Sequence, residues 1–212
     1  VALTLLISLS ACSSVDETRT LKVFNWGVYL DESLITEFEE TYHVDVVYEE
    51  FDSNETMYTK LQSGEVYDVL YPSDYMVERL IEEGLLQTVE TETKEGLNNY
   101  LPNVLGRDFD LQNDYSIPYF WGNVGLIYNT SIVSEEDVVS QGWNVLKNPK
   151  YAGNLYFYDS ERDAFMIALK AIGFSTNTQN DDELNQAYDW LVELNESMNA
   201  IYVTDDVIDN MI

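Results

Sequence analysis

The sequence is short of the residues that most redox, disulfide and metal sites need. It contains one cysteine and one histidine among 212 residues. A single cysteine excludes an internal disulfide bond and a cysteine-based metal cluster. The histidine, His43, lies between a predicted helix and a predicted strand, so histidine-based catalysis and a histidine-rich metal site have no support. Phosphate-binding and dinucleotide-binding glycine motifs are also absent, and we expect no cofactor.

Positive charge is scarce as well. Ten Lys and Arg residues stand against 39 Asp and Glu residues, which gives a formal net charge of −29 at pH 7. A field of this sign makes nucleic acid and anionic membrane surfaces poor partners, and it favours a cationic small molecule. An acidic surface also keeps secreted proteins soluble, which explains the charge without any ligand. The charge alone therefore does not establish a ligand.

The longest apolar run is VALTLLISLSAC at residues 1–12, which is too short for a membrane-spanning helix and suits a secretory signal. Its Leu-Ser-Ala-Cys ending resembles the lipobox of bacterial lipoproteins. The resemblance implies that Cys12 is lipidated, that residues 1–20 are a signal remnant and tether, and that the protein is anchored outside the cytoplasmic membrane. A buried helix or strand ending in an ordinary cysteine is the alternative. The missing start methionine and the ending TDDVIDNMI indicate a fragment.

Strand-like and helix-like runs alternate from Leu21 onward, which is typical of a largely parallel sheet with helices on its faces. Three strand-like runs, LKVFNW, VDVVYEEF and VYDVLYP, are each followed by an amphipathic helical pattern. The second half repeats this order with the strand NLYFY, helices over 162–172 and 181–195, and the strand AIYV. The residues predicted to face inward on the last helix are Leu184, Ala187, Tyr188, Leu191 and Leu194.

Proline and glycine separate the two halves. In YSIPYFWGNVGLIYN, Pro118, Gly122 and Gly125 interrupt two β-like runs, which suits a crossover between domains. We therefore predict an α/β protein with two lobes joined by a hinge. Lobe one covers residues 21–117, the hinge crossover covers 118–125, and lobe two, incomplete, covers 126–212. Trp121 is predicted to pack within the hinge.

Candidate binding residues come shortly after the predicted strands. They are Trp26 and Tyr29 after the first strand, Ser73 and Tyr75 after the third, and Asp159, Ser160 and Asp163 after NLYFY. Ligands of open α/β sheets bind outside the carboxyl ends of the strands. We therefore expect all three groups to face one cleft.

Five segments in this order resemble the polyamine-binding proteins of ABC transporters, the spermidine/putrescine-binding family with the type II periplasmic-binding-protein fold. The segments are FNWGVY, FDSNETMYTKL, YDVLYPSDYMVERLIEEGLL, NDYSIPYFWG and DSERDAFMIAL. The resemblance runs from about Leu21 to the last residue. It implies a monomeric binding protein without enzymatic activity, which captures spermidine or putrescine between its lobes and delivers it to a membrane permease.

Carried over residue by residue, the resemblance implies that Trp26 and Tyr29 line the pocket. It implies that Ser73 and Tyr75 hold one end of the ligand, and that residues 159–163 supply negative charge from the facing lobe. A polyamine carries ammonium groups separated by methylenes. Its site therefore needs carboxylates for the charges and aromatic walls for the chain.

Three positions depart from the family pattern. Gly27 and Val28 stand where relatives commonly carry an acidic or hydroxyl-bearing pair, and Ser160 stands where a relative often has Asp. One expected amine-binding carboxylate is thereby missing, and the sequence leaves the preference between spermidine and putrescine open. The nearby carboxylates that could replace it are Asp31, Asp74 and Glu161.

Each candidate also has an ordinary structural explanation. The aromatic residues suit core or rim packing, Ser73 suits a helix cap, and Asp163 suits the positive end of a helix dipole. Arg162 suits an ion pair with a neighbouring acid. Two other functions stay open, namely a lipid-anchored binding protein for another small solute, such as a sugar or an amino acid, and a hydrolase built on Asp159 and Asp163.

Overall fold

The computed structural model describes residues 19–90, 94–204 and 207. The predicted lipidation site Cys12 lies outside these residues. Within them, the strands form two separate parallel sheets, one in each predicted lobe. No helix in the described part of the chain is long and apolar enough to cross a bilayer.

The sheet of lobe one has three parallel strands in the order β2-β1-β3. The strands are β1 (Arg19–Trp26), β2 (Val44–Phe51) and β3 (Val69–Leu70). The first strand starts two residues before the predicted boundary of lobe one. Trp26 pairs with Phe51 across the sheet, so β1 and β2 end at the same edge. The third strand is shorter than the predicted run VYDVLYP at both ends, and Pro72, which has no N–H to extend a ladder, limits only its C-terminal end.

Three helices follow these strands. They are α1 (Glu32–Tyr42), α2 (Asn54–Gln62) and α3 (Asp74–Glu82). Their shared core contains Phe24, Phe51, Met57, Met76 and Leu80. The Ser53 hydroxyl accepts a hydrogen bond from the Thr56 N–H at the start of α2, and Gly64 follows its end with φ +96°, so both predicted helix signals are confirmed.

The apolar side of α1 is left uncovered by the described residues. The side chains of Leu34, Phe38 and Tyr42 are all exposed, although the Phe38 and Tyr42 rings contact each other. The helix packs on β2, which is an edge strand of the sheet. At this edge, few of the described residues are available to cover the apolar side of the helix. The predicted helix is therefore confirmed, but none of its residues is buried in the core.

Lobe two contains a two-stranded sheet flanked by helices. Its elements are α4 (Glu135–Gln141), β4 (Tyr156–Tyr158), α5 (Glu161–Ile172), α6 (Asp181–Met198) and β5 (Ile201–Val203). The two strands pair in parallel, and α5 packs against α6. Short 3₁₀ helices in the described residues cover Gly96–Asn99, Pro102–Val104, Gly142–Lys147 and Pro149–Tyr151.

The inward side of α6 differs from the prediction at Tyr188 and at Trp190. Tyr188 is 57% exposed, whereas Trp190 is 6% exposed and donates from its indole nitrogen to the Asn144 side chain. The buried residues Ala187, Trp190, Leu194 and Met198 are spaced three or four apart, as on one helical face. The prediction placed Tyr188 inward with the helically spaced residues Leu184, Ala187, Leu191 and Leu194, but it lies beside the buried face rather than on it.

The segment between the lobes also differs from the prediction. Residues 115–129 form no strand, because no strand of the described residues pairs with this segment. Phe120, Trp121 and Ile127 are 64%, 76% and 83% exposed. The predicted β-like runs and the predicted packing of Trp121 in the hinge are therefore wrong for the described chain.

Acid should destabilise lobe two through Asp137, in the first turn of α4. Hydrogen bonds from the hydroxyl of Tyr151 and the ammonium group of Lys150 lower the pKa of Asp137 to about 2. Since this pKa lies below the value in the unfolded chain, about 3.9, the carboxylate contributes stability above about pH 4. That contribution is lost as the pH falls from about 4 to about 2.

Chemical unfolding at pH 6 and at pH 3 measures this effect. We expect the Asp137→Asn variant to lose less stability between the two pH values than the wild type does. Asp189 is exposed on α6, so Asp189→Asn makes the same change of charge as a control. An equal pH dependence in the wild type and the Asp137→Asn variant would contradict the assignment.

Candidate binding site

Aromatic rings lie at the carboxyl edge of the lobe-one sheet, where Trp26 ends β1. The Trp26 ring centre lies 4.7 Å from that of Phe51 and 6.0 Å from that of Tyr29. Tyr29 in turn lies 5.2 Å from the ring of Phe120, and it is 37% exposed. The two predicted pocket aromatics therefore stand next to each other and form part of one wall, which stays open to solvent at Tyr29.

Tyr119, in the hinge segment, extends this wall. Its hydroxyl donates a hydrogen bond to the backbone oxygen of Tyr29 at 2.8 Å. Its ring lies 4.2 Å from Phe120 and 4.8 Å, edge to face, from Tyr71. Sequence reasoning placed neither Tyr119 nor Phe120 at the site. Both residues lie in the segment NDYSIPYFWG, which carries part of the family resemblance, and this position could have indicated that they belong to the site.

A buried amide holds Ser73 and Tyr75 together. Asn54 is 3% exposed, and its side-chain nitrogen donates to the Ser73 hydroxyl and to the Tyr75 hydroxyl, both at 3.0 Å. Its side-chain oxygen accepts from the Ser73 N–H at 3.0 Å. Ser73 stands at the start of α3, but its hydroxyl makes no cap hydrogen bond there. The explanation of Ser73 as a helix cap is therefore confirmed for its position, while its hydroxyl accepts from Asn54 instead of capping the helix.

Tyr75 is kept neutral by its surroundings. Burial raises the pKa of its phenol most, and the hydrogen bond from its hydroxyl to Glu55, at 2.9 Å, raises it further. Tyr75 is half-buried at the start of α3, so part of its side chain remains accessible. The arrangement offers an aromatic face beside a carboxylate, which is what an ammonium group binds.

The second lobe reaches Tyr75 through the start of α5. The Arg162 guanidinium carbon lies 5.9 Å from the centre of the Tyr75 ring. Burial and Glu55 raise the pKa of Tyr75 most, and the negative charge of Asp163 adds to that rise. The structure therefore brings Tyr75 of lobe one close to Arg162 and Asp163 of lobe two, as the prediction of a shared cleft requires.

Two other predicted residues have structural roles in lobe two. The Ser160 hydroxyl accepts from the Asp163 N–H at 3.4 Å, so Ser160 caps α5. The Asp159 N–H donates to the Val203 oxygen at 2.8 Å, which continues the pairing of β4 with β5. Among the described residues, no hydrogen bond joins either side chain to Tyr75. A ligand role for Ser160 and Asp159 stays a prediction.

A cavity of about 340 Å³ lies beside Gly27 at the end of the sheet, lined also by Glu50, Phe51, Asp52 and Thr56. The absent side chain at position 27 leaves room there, and two carboxylates border it. Glu50 lies near the end of β2 and Asp52 directly follows it. The acids named from the sequence, Asp31, Asp74 and Glu161, do not include these two.

Two positions near Gly27 that were singled out from the sequence, Asp31 and Val28, do not line this cavity. Asp31 accepts hydrogen bonds from Ser33 and caps α1, and the bond from the Ser33 hydroxyl lowers its pKa most. Val28 is 77% exposed with φ +53°, a conformation that a β-branched residue rarely adopts. Val28 does not line the cavity, and Asp31 serves the helix.

Metal binding has no support in the described part of the chain. No group of three or more His, Cys, Asp or Glu side chains there is arranged to hold a metal ion. The acidic residues at the cleft are instead interleaved with aromatic rings. That mixture suits an organic cation.

Residues 33–211 match the family model for bacterial extracellular solute-binding proteins. The chain belongs to this family. Proteins of a solute-binding family bind and release their ligands, so this membership favours binding over the two-carboxylate hydrolase. The extracellular description agrees with the predicted location outside the cytoplasm.

The chain is similar to solute-binding proteins of several bacteria. It is 35% identical to the spermidine/putrescine-binding periplasmic protein of Escherichia coli strain K12 over 192 residues, which are 90% of this chain and 54% of that protein. A crystal structure of PotD from Streptococcus pneumoniae, a spermidine/putrescine substrate-binding protein, matches with a TM-score of 0.69 and 35% identity, over 92% of this chain and 59% of that one.

The TpPotD lipoprotein of Treponema pallidum matches with a TM-score of 0.78 and 28% identity, over 91% of this chain and 60% of that one. These likenesses confirm the predicted type II periplasmic-binding-protein fold. The chain spans about half the length of the curated relatives that it matches.

Proposed function

We propose that the protein captures polyamines between its two lobes outside the cytoplasmic membrane and delivers them to the permease of an ABC transporter. The observation that carries this proposal is the meeting of the lobes at Tyr75. Asn54 and Glu55 hold its hydroxyl from lobe one, and the charge of Asp163 reaches it from lobe two. An ammonium group placed there would contact an aromatic face between carboxylates.

The aromatic wall supports the same proposal for the rest of the ligand. Trp26, Tyr29 and Phe120 form a continuous row of rings, and methylene chains bury well against such surface. The acidic cavity beside Gly27 offers carboxylates to a further ammonium group. The net charge of −29 attracts cations to the whole surface. Relatives named for spermidine and putrescine support polyamines over sugars or amino acids as the ligand.

Replacing Trp26 by Ala should weaken polyamine binding by about 1–2 kcal/mol, or roughly five- to thirtyfold. The substitution removes the ring that packs on Phe51 and faces Tyr29. Calorimetric titration of the full-length protein with spermidine and putrescine measures the loss. Phe38→Ala, which removes an exposed ring on α1, is the matched control and should bind as the wild type does. Wild-type affinity in a folded Trp26→Ala variant would remove Trp26 from the site.

We also propose that residues 21–117 and 126–212 close over the ligand about the segment 118–125. Two separate hydrophobic cores, one in each half, support this division. A ligand that binds both lobes favours the closed state through its higher affinity for that state. Small-angle scattering of the full-length protein should show a more compact particle at saturating polyamine. An unchanged scattering curve would count against the hinge.

Finally, we propose that Cys12 carries a lipid anchor and that the protein works as a monomer. The Leu-Ser-Ala-Cys segment supports the anchor, and one similar protein is itself named a lipoprotein. A lipid on one cysteine tethers a folded domain without a spanning helix. Cell fractionation should find the Cys12→Ala variant released or unprocessed. A Cys12→Ala variant that is processed as the wild type is and remains equally associated with the membrane would exclude the anchor.

A further inference from the structure

Arg162 makes a contact that an ordinary ion pair does not explain. Its side chain is exposed in the first turn of α5, and its guanidinium lies 5.9 Å from the Tyr75 ring centre, across the cleft. One guanidinium nitrogen donates to the Asn177 side chain at 3.3 Å. Glu161 and Asp163 adjoin it in sequence, yet Arg162 forms no ion pair with any residue described by the structure.

Arg162 is one of five basic residues in the described part of the chain that form no ion pair, the others being Arg19, Lys22, Arg107 and Lys170. Acidic residues outnumber basic ones 39 to 10, so a carboxylate is available to most basic side chains. Five basic side chains in the described part of the chain do form ion pairs. They are Lys60, Arg79, Lys94, Lys147 and Lys150. The guanidinium of Arg162 instead lies over the Tyr75 ring of the other lobe, at the outer limit of about 6 Å for a cation–π contact.

The Tyr75 ring is a fixed platform for this contact. Asn54 and Glu55 hold its hydroxyl by hydrogen bonds at 3.0 and 2.9 Å, so the ring is held in one position. A guanidinium is always charged and weakly hydrated, and it stacks readily on aromatic faces. It therefore occupies the surface on which an ammonium group of the ligand would bind.

We propose that Arg162 is the resident cation of the polyamine site. In the ligand-free protein its guanidinium covers Tyr75, and a polyamine displaces it on binding. The displaced charge stays on α5 near the ligand and repels it, and this repulsion grows with the number of ammonium groups. Arg162 thereby lowers the affinity for the triamine spermidine more than for the diamine putrescine. This inference rests on the proposed function.

The test is calorimetric titration of full-length Arg162→Gln with spermidine and with putrescine. We expect spermidine to bind about two- to fivefold more tightly than to the wild type, with a smaller gain for putrescine. Arg162→Lys keeps the charge and should keep the wild-type preference. Lys170→Gln removes the same charge from the same helix, about 12 Å farther along its axis, beyond the screening length of about 8 Å. This control should change neither affinity.

Three outcomes would overturn the inference. They are weaker or unchanged polyamine binding by Arg162→Gln, equal gains in Arg162→Gln and Lys170→Gln, and equal gains for spermidine and putrescine. Small-angle scattering of the ligand-free protein distinguishes a failure of the Arg162 inference from a failure of the proposed function. Arg162→Gln should be less compact than the wild type, because one contact between the lobes is lost. If the wild type binds no polyamine, the proposed function fails, and this scattering difference still tests the contact.

Discussion

The Asp163→Asn substitution should weaken polyamine binding about ten- to a hundredfold, because it removes the negative charge that lobe two brings to Tyr75. Hydrogen bonds to charged groups contribute about 1.5–3 kcal/mol, which corresponds to that range of affinity. Burial and Glu55 raise the pKa of Tyr75 most, and the charge of Asp163 adds to that rise, which places the carboxylate within electrostatic reach of the ring. Calorimetric titration of the full-length protein measures the loss.

Asp189→Asn is the matched control for this substitution. Asp189 is exposed on α6 in the same lobe, and its replacement changes the net charge by the same amount. The control should bind polyamines as the wild type does. If both variants lose affinity equally, the effect comes from the field of the whole surface. If neither loses affinity, Asp163 is an ordinary first-turn carboxylate of α5.

Replacing Asn54 by Ala should lower the free energy of unfolding by about 1–3 kcal/mol, the cost of leaving buried partners without hydrogen bonds. The amide side chain makes three hydrogen bonds to Ser73 and Tyr75. Because it holds the Tyr75 hydroxyl, the same substitution should also weaken polyamine binding. Urea unfolding measures the first effect, and calorimetric titration measures the second.

Thr59→Ala is the control on the same helix. Thr59 is exposed, and its hydroxyl bonds only to the backbone oxygen of Glu55 one turn earlier. It should leave stability within about 0.5 kcal/mol of the wild type, as surface substitutions usually do. Wild-type stability in Asn54→Ala would show that the amide is dispensable. Lower stability with unchanged affinity would show that it supports the fold but does not position Tyr75 for the ligand.

Much of the site was predictable because strand order determines where chain segments meet. Parallel strands end at one edge, so residues that follow β1 and β3 lie together without any knowledge of packing. This rule placed Trp26, Tyr29, Ser73 and Tyr75 on one side of lobe one. The position of Asp163 after β4 placed it on the facing side by the same argument.

Sequence reasoning did not place Asn54 at the site, although the helical spacing of Asn54 and its apolar neighbours indicated a position facing the core. Asn54, Met57 and Leu61 are spaced as on one helical face, and Met57 is fully buried. A polar residue on a core face needs buried hydrogen-bond partners, so this spacing predicts a network. The sequence could not show which residues would be the partners, because Ser73 and Tyr75 approach through tertiary packing.

Other differences arise where periodicity does not identify a neighbour. The segment 115–129 has a strand-like composition, but a strand forms only beside another strand, and none in the described residues pairs with it. An ion pair with a neighbouring acid was the ordinary explanation of Arg162, and its direction across the cleft depends on the position of Tyr75 in the other lobe. Such contacts depend on three-dimensional arrangement rather than on local pattern.

The central claim, that the cleft binds polyamines, is tested most directly by one calorimetric titration. The full-length protein is titrated with spermidine, with putrescine, and with a neutral sugar and a neutral amino acid under the same buffer and salt. We expect saturable binding of at least one polyamine and no binding of either neutral solute. Saturable binding of a neutral solute, with no heat of binding from either polyamine, would contradict the account.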